Sequence, residues 1–147
     1  MEPPKFTPAE LEGLVAEAVS WLREQRDKFH PLGVPLSEPQ KIKLRPFFSA
    51  PDAAHMTAIP FIDVAVFNRE PTLRTVFHTL VHVAQFTVLR LERVMKGYFE
   101  TINESGLWMV VPYEEQAYRL DTRYTKDPSD YFSVEAEIRE WQRNGEF

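Results

Sequence analysis

The chain predicts an α+β domain, predominantly helical, with a small and mostly antiparallel sheet of two or three strands packed on one central helix. Three observations carry that expectation. Apolar residues recur at helical spacing near both ends of the chain and through its middle. The interval from Pro31 to Pro60 holds six of the twelve prolines, too many for a long helix, and carries short runs with strand character. The stretch between Pro71 and Gly97 is the longest apolar segment and must lie at the centre of whatever forms. With 147 residues, a single domain spanning 1–147 is expected, long enough to bury a core.

The elements follow in order. Thr7-Pro8-Ala9-Glu10 is a capping box with Pro at the first helical position, and Leu11, Leu14, Val15, Ala18 and Leu22 then share one face. That amphipathic helix should end before His30-Pro31 and act as scaffold. Lys41-Ile42-Lys43-Leu44-Arg45 alternates strictly and predicts a half-exposed strand. Ile59 to Phe67, IPFIDVAVF, predicts a second and more buried strand, paired to the first across a loop near Pro51-Asp52. Leu107 to Val111 is a candidate third strand. The central helix is bounded by Asn68 or Glu70 as cap, Pro71 in its first turn and Gly97 as its stop. Pro112 opens another helix, from Tyr113 to about Thr125, and Ser133 caps a last one from Val134 to about Arg143, with Ile138 and Trp141 inward.

Composition narrows the partners. Hydrophobic residues make up 44% and charged residues 27%, as in ordinary globular proteins. A net charge of −5, with acids spread along the chain, argues against nucleic acid and against an anionic membrane surface. Lys41, Lys43 and Arg45 form a solvated edge, not a phosphate groove. There are no cysteines, so disulfides and thiolate ligands are excluded and any metal must be held by His, carboxylates and water. No signal-peptide pattern and no membrane-length apolar run occurs, so a cytoplasmic location is expected. Oligomeric state is not encoded in any recognisable pattern.

The chemistry gathers in the central helix, at Phe77 to Phe86, FHTLVHVAQF. His78 and His82 are four residues apart, so their imidazoles project from one helical face. Two parallel imidazoles one turn apart are half of a metal site. Gln85 continues their stripe and either orients a ligand or bonds backbone. On the later helix Glu114 falls roughly 90° from the middle of the apolar face and Glu115 roughly 170° away. Of these two carboxylates, Glu114 is the one expected to reach the core. Asp121 lies on the same side and can hold a histidine N–H. Tyr113, Tyr118 and Arg119 are candidates for orienting or oxyanion-stabilising groups, or else packing and surface. His30 and His55 fall in the Pro-rich interval and should be exposed.

HTLVHVAQ followed by PYEEQAY resembles bacterial zincin-like metallopeptidase domains of the gluzincin type, in which HExxH on one helix is followed by a glutamate on a later helix. The resemblance covers roughly residues 41–125. It implies a minimal zincin-like fold, with His78, His82 and Glu114 as metal ligands, Glu115 as a possible substitute, and Zn²⁺ as the cofactor. The departure is Thr79, which stands where the resembled pattern has its general-base glutamate. A hydroxyl does not accept a proton near neutral pH, and losing a positioned base costs about 10²–10⁴-fold. The residues implied in catalysis are Thr79, Gln85, Tyr113 and Arg119.

The functional expectation is thus a metal-dependent enzyme of hydrolase or lyase type, acting on a small polar molecule or peptide with a base other than residue 79. Two alternatives stand beside it. Two histidines and one carboxylate with open positions are also the ligand set of non-haem Fe²⁺ oxygenases. A catalytically inactive zincin-like protein with a structural metal or a binding role is the other.

Overall fold

The computed structural model describes residues 5–49, 55–67 and 69–147. Those residues are mostly helical and form six α-helices and two short 3₁₀ turns. Helix α1 (Pro8–Phe29) starts at the expected capping box, where Thr7 and Glu10 each bond the other's backbone N–H. It ends at His30, where a 3₁₀ turn, His30–Leu32, begins. His30 is half-buried there, not exposed. The side chain of His55 lies outside the described residues.

Helix α2 (Glu38–Leu44) replaces the strand expected at Lys41–Arg45. Ser37 caps it and Gln40 reaches back to Ser37, a second capping box with Pro39 in the first turn. Burial identifies the period. In a strand Ile42 and Leu44 would share a face, whereas on a helix they lie about 200° apart. Ile42 is 63% exposed and Leu44 fully buried. The local cap, a complete hydrogen-bonding motif, wins over a five-residue alternation.

Strands β1 (His55–Phe61) and β2 (Val64–Val66) occupy the interval expected to hold one strand. They pair irregularly with each other, Pro60 beside Ala65 and Phe61 beside Val64. Between them Ile62 adopts φ 66°, a costly conformation for a β-branched residue. Arg26 of α1 clamps the next residue, Asp63, with both carboxylate oxygens bonded at 2.8 and 2.9 Å. The loop expected near Pro51-Asp52 lies outside the described residues. The predicted third strand is instead a 3₁₀ turn, Trp108–Val110, with Leu107 through Val110 exposed. Five residues between a helix stop at Gly106 and a helix start at Pro112 find no strand to pair with. Among the described residues, therefore, the predominantly helical expectation holds, while the expected sheet with Lys41–Arg45 and Leu107–Val111 as strands is not seen and the extended structure is the short β1–β2 pair.

Helix α3 (Leu73–Leu89) is capped by Thr72; of the caps expected, Asn68 lies outside the described residues and Glu70 precedes the helix. The chain does not run straight on to Gly97. Arg90 takes φ 74°, with no Gly or Pro to announce it, and helix α4 (Leu91–Ser105) restarts in a new direction. Gly97 lies inside α4 because the ring of Tyr113 rests on it. A Cβ there would stand 2.6 Å from Tyr113 Cε2. The helix stops at Gly106, left-handed at φ 72°.

Helices α5 (Pro112–Lys126) and α6 (Val134–Arg143) form where expected, and Ser133 caps α6 with Ile138 and Trp141 buried. Helix α3 packs against α4, α5, α6 and β1, and α1 lies on α4. Phe77 is fully buried in an aromatic cluster with Phe47, Phe48, Tyr124 and Phe132, stacked on Tyr124 at 4.4 Å. That stack fixes the C-terminal half of α5 against α3 and so sets where the first turn of α5 falls. No helix among the described residues is long and apolar enough to cross a membrane.

Candidate metal centre

The i, i+4 spacing on α3 brings His78 and His82 together edge to face, with ring centroids 4.9 Å apart and planes at 72°. Glu114, in the first turn of α5, comes down on both. His82 Nε2 lies 3.2 Å from His78 Nε2 and 3.4 Å from Glu114 Oε2, and the third separation, His78 Nε2 to Glu114 Oε2, is 3.7 Å. The helical geometry that favoured Glu114 over Glu115 is the geometry present: Glu115 is exposed and paired with Arg119.

The far side of each ring fixes its tautomer. Gln85 is fully buried, and its amide nitrogen lies 2.9 Å from the carbonyl oxygen of Tyr113, which can only accept. Its Oε1 must therefore face His82 Nδ1, at 2.9 Å, and Nδ1 must carry the hydrogen. The same amide nitrogen donates to Gln116 Oε1 at 3.1 Å, and Gln116 donates on to the carbonyl of Glu137 in α6. For His78 the partner is Asp121, buried, with Oδ2 2.8 Å from Nδ1. Arg74 holds the other oxygen at 2.7 and 3.0 Å. With Nδ1 engaged from behind, both rings turn Nε2 toward the Glu114 carboxylate, the arrangement in which metal-binding histidines are held.

Two ring nitrogens and a carboxylate oxygen converging this closely need a proton or a cation between them. Burial opposes charge on His78, yet its hydrogen bonds to Glu114 and Asp121 outweigh it and raise its pKa above the ordinary histidine value. Burial likewise favours a neutral Glu114, but bonds from His78, His82 and Tyr98 hold its carboxyl well below the usual range. A tetrahedral ion with bonds of about 2.0–2.1 Å would place its ligand atoms about 3.3–3.4 Å apart. The observed 3.2, 3.4 and 3.7 Å bracket that edge length.

Tyr98 donates to Glu114 Oε1 and fixes the carboxylate's rotation. Burial, and then the charge of Glu114, raise the phenol's pKa far above its ordinary value, so it stays a donor. Sequence reasoning missed Tyr98. Its position depends on the turn at Arg90, and a continuous helix through Gly97 would have pointed it elsewhere.

The open side of the triad faces a cleft of about 530 Å³, walled by Trp21 and Leu22 of α1, Phe86 of α3, Met95 of α4, Trp108 and Tyr118. Helix α1, expected as scaffold, thereby forms one wall. Thr79 is buried and lines the cleft, with its hydroxyl donating to the Thr75 carbonyl at 2.9 Å. Tyr118 packs on His78, ring centroids 4.6 Å apart. The structure does not bring Tyr113's hydroxyl or Arg119 to the cleft. Tyr113 is buried over Gly97 and stacked on Phe147, contributing its backbone carbonyl to Gln85, while Arg119 is exposed over Trp141. No family model, curated protein or solved structure matches the chain.

Proposed function

We propose that this chain is a metal-binding protein that holds one divalent cation, Zn²⁺ before Fe²⁺, through His78, His82 and Glu114. One observation carries the reading. Three lone-pair donors stand at about the edge length of a metal tetrahedron, and each is held in its binding form from behind by Asp121, Gln85 or Tyr98. The fourth position would face the cleft, as in sites that act on a ligand and not in closed structural ones. A cation there supplies Lewis-acid polarisation of a bound group and a lowered pKa for a bound water.

The chemistry proposed is hydrolase- or lyase-type work on a small molecule, with no carboxylate base. Thr79 is committed to the helix backbone, and among the described residues of the cleft Glu114 is the only carboxylate. That same observation favours a second reading, a zincin-like binding protein without turnover. The absence of the expected sheet weakens the zincin likeness to its helical part: an N-terminal helix, a histidine helix and a glutamate helix.

The test is metal content of protein purified without added metal, followed by titration with Zn²⁺ and Fe²⁺. We expect one equivalent in the wild type, and a loss of more than about 100-fold in affinity in His82→Ala and Glu114→Gln, beyond the 10–100-fold typical of outer groups. Wild type that retains no metal and gains no thermal stability from either ion would end this reading. Fe²⁺ bound in preference to Zn²⁺ would move it to the oxygenase alternative. With metal in place, Thr79→Glu separates turnover from binding: peptidase activity gained marks a peptidase scaffold lacking its base.

A further inference from the structure

We propose that the cleft takes a small monocarboxylate with an extended apolar body, its carboxylate toward His78, His82 and Glu114 and its body between Trp21, Phe86, Met95 and Trp108. The inference rests on the reading of the triad as a divalent cation site and names what that site would hold.

Charge selects the head. Two neutral imidazoles and one carboxylate around a divalent cation leave one net positive charge. Asp121, the other buried carboxylate nearby, is cancelled by Arg74 at 2.7 Å. Among the described residues that line the cleft there is no lysine, no arginine and no second acid. One negative charge therefore completes the site. A dianion such as phosphate would exceed it and would meet no basic side chain.

The walls select the body. Behind the triad the lining is aromatic and aliphatic, and the two tryptophans at the mouth remain half exposed, at 50% for Trp21 and 52% for Trp108. Exposed tryptophans flanking a cleft of about 530 Å³ fit the size and lining of a small-molecule site. An extended peptide is disfavoured. The described walls are helices and a 3₁₀ turn, so a peptide backbone finds no strand edge to join. Each methylene moved from water to such a wall is worth roughly fourfold in affinity, so chain length is the variable to read.

The experiment is isothermal titration of protein loaded with one equivalent of Zn²⁺, using acetate, butanoate, hexanoate and octanoate, with octylammonium as the same tail carrying the opposite charge. Octanoate should bind at least tenfold more tightly than acetate and at least tenfold more tightly than octylammonium. Stripping the metal should weaken octanoate at least tenfold. Trp108→Ala, a change at an exposed residue, should narrow the octanoate-to-acetate ratio at least threefold. Any of these falling short overturns the proposal while leaving the metal site standing. Protein that holds no Zn²⁺ overturns the metal reading first, and this proposal with it.

Discussion

The two sides of the histidine pair are built differently. Behind the rings, every polar atom is matched: Asp121 with Arg74, Gln85 with the Tyr113 carbonyl and with Gln116, and Gln116 with the Glu137 carbonyl. In front there are two ring nitrogens and a carboxylate oxygen within 3.7 Å of one another and a wall of aromatic and aliphatic side chains. A buried histidine pair that served packing alone would need no such asymmetry. The rear fixes geometry and the front leaves a charge to be supplied, which is the division of labour in a site that binds.

Breaking the rear should cost most. Gln85→Leu keeps the volume and removes the amide, leaving His82 Nδ1 and Gln116 Oε1 buried without a partner. Each such group costs about 1–3 kcal/mol, so a loss of about 2–6 kcal/mol is expected in chemical denaturation. Metal affinity should fall about 10–100-fold, because His82 is then free to choose its tautomer. Trp108→Ala on the front should stay within about 0.5 kcal/mol of wild type. Comparable losses at the two positions would show that the front is as tightly built as the rear, and the comparison would fail.

The same division explains what could be read from the sequence. Gln85 and Asp121 of the rear were legible because they follow from helical phase, whereas Arg74 and Gln116, which complete it, were not read from the sequence. His78, His82 and Gln85 share a stripe, and Glu114 and Asp121 share a side of α5. Only two regular helices and their mutual packing were needed to bring them together. The front was not, because it depends on events without sequence punctuation. Arg90 turns the chain with a positive φ, so Met95 and Tyr98 arrive from a direction that the hydrophobic period of a continuous helix does not suggest. Lys41–Arg45 reads as a strand over five residues, while the signal that decides it, Ser37 with Gln40 around Pro39, lies just upstream. Local caps located the helix starts at Thr7 and Ser133, but the central helix starts at Thr72 and not at Glu70, and Gly97 is no stop. The cap passed over at Ser37 turns an expected strand into a helix.

A middle-sized effect tests how rear and front are joined. Gly97 on α4 touches the Tyr113 ring, one residue from Glu114 and one from Tyr98. In Gly97→Ala the added methyl would sit 2.6 Å from Tyr113 Cε2 and 2.8 Å from its hydroxyl oxygen. The ring is buried, so α4 and α5 must separate. Overpacking of about 1–3 kcal/mol is offset by about 1 kcal/mol of helix propensity, for a net loss of about 1–2 kcal/mol. The shift separates Tyr98 from Glu114, so Zn²⁺ affinity should drop along with stability. Lost stability at full metal affinity would show that the two helices carry the site independently.

The smallest effect concerns how the front wall is held. Trp21 and Leu22 stand on α1, and α1 is tied to the β1–β2 link by the Arg26–Asp63 fork at 2.8 Å. Burial raises the Asp63 carboxyl, but the Arg26 bonds outweigh it and leave its pKa below the ordinary value. A carboxylate depressed in the folded state contributes fully above its unfolded pKa, near 3.9, and loses that contribution as pH falls through the folded value. With both side chains about a third exposed, the contribution is about 0.5–1 kcal/mol. Asp63→Asn should therefore melt below wild type at pH 7, and the difference should shrink as the pH falls below about 4. The rear, in contrast, contains no part of this pair, so Zn²⁺ affinity at pH 7 should survive Asp63→Asn while octanoate affinity weakens by about twofold, within the range of surface substitutions. Equal losses of both would mean that α1 supports the ligands as well as the wall.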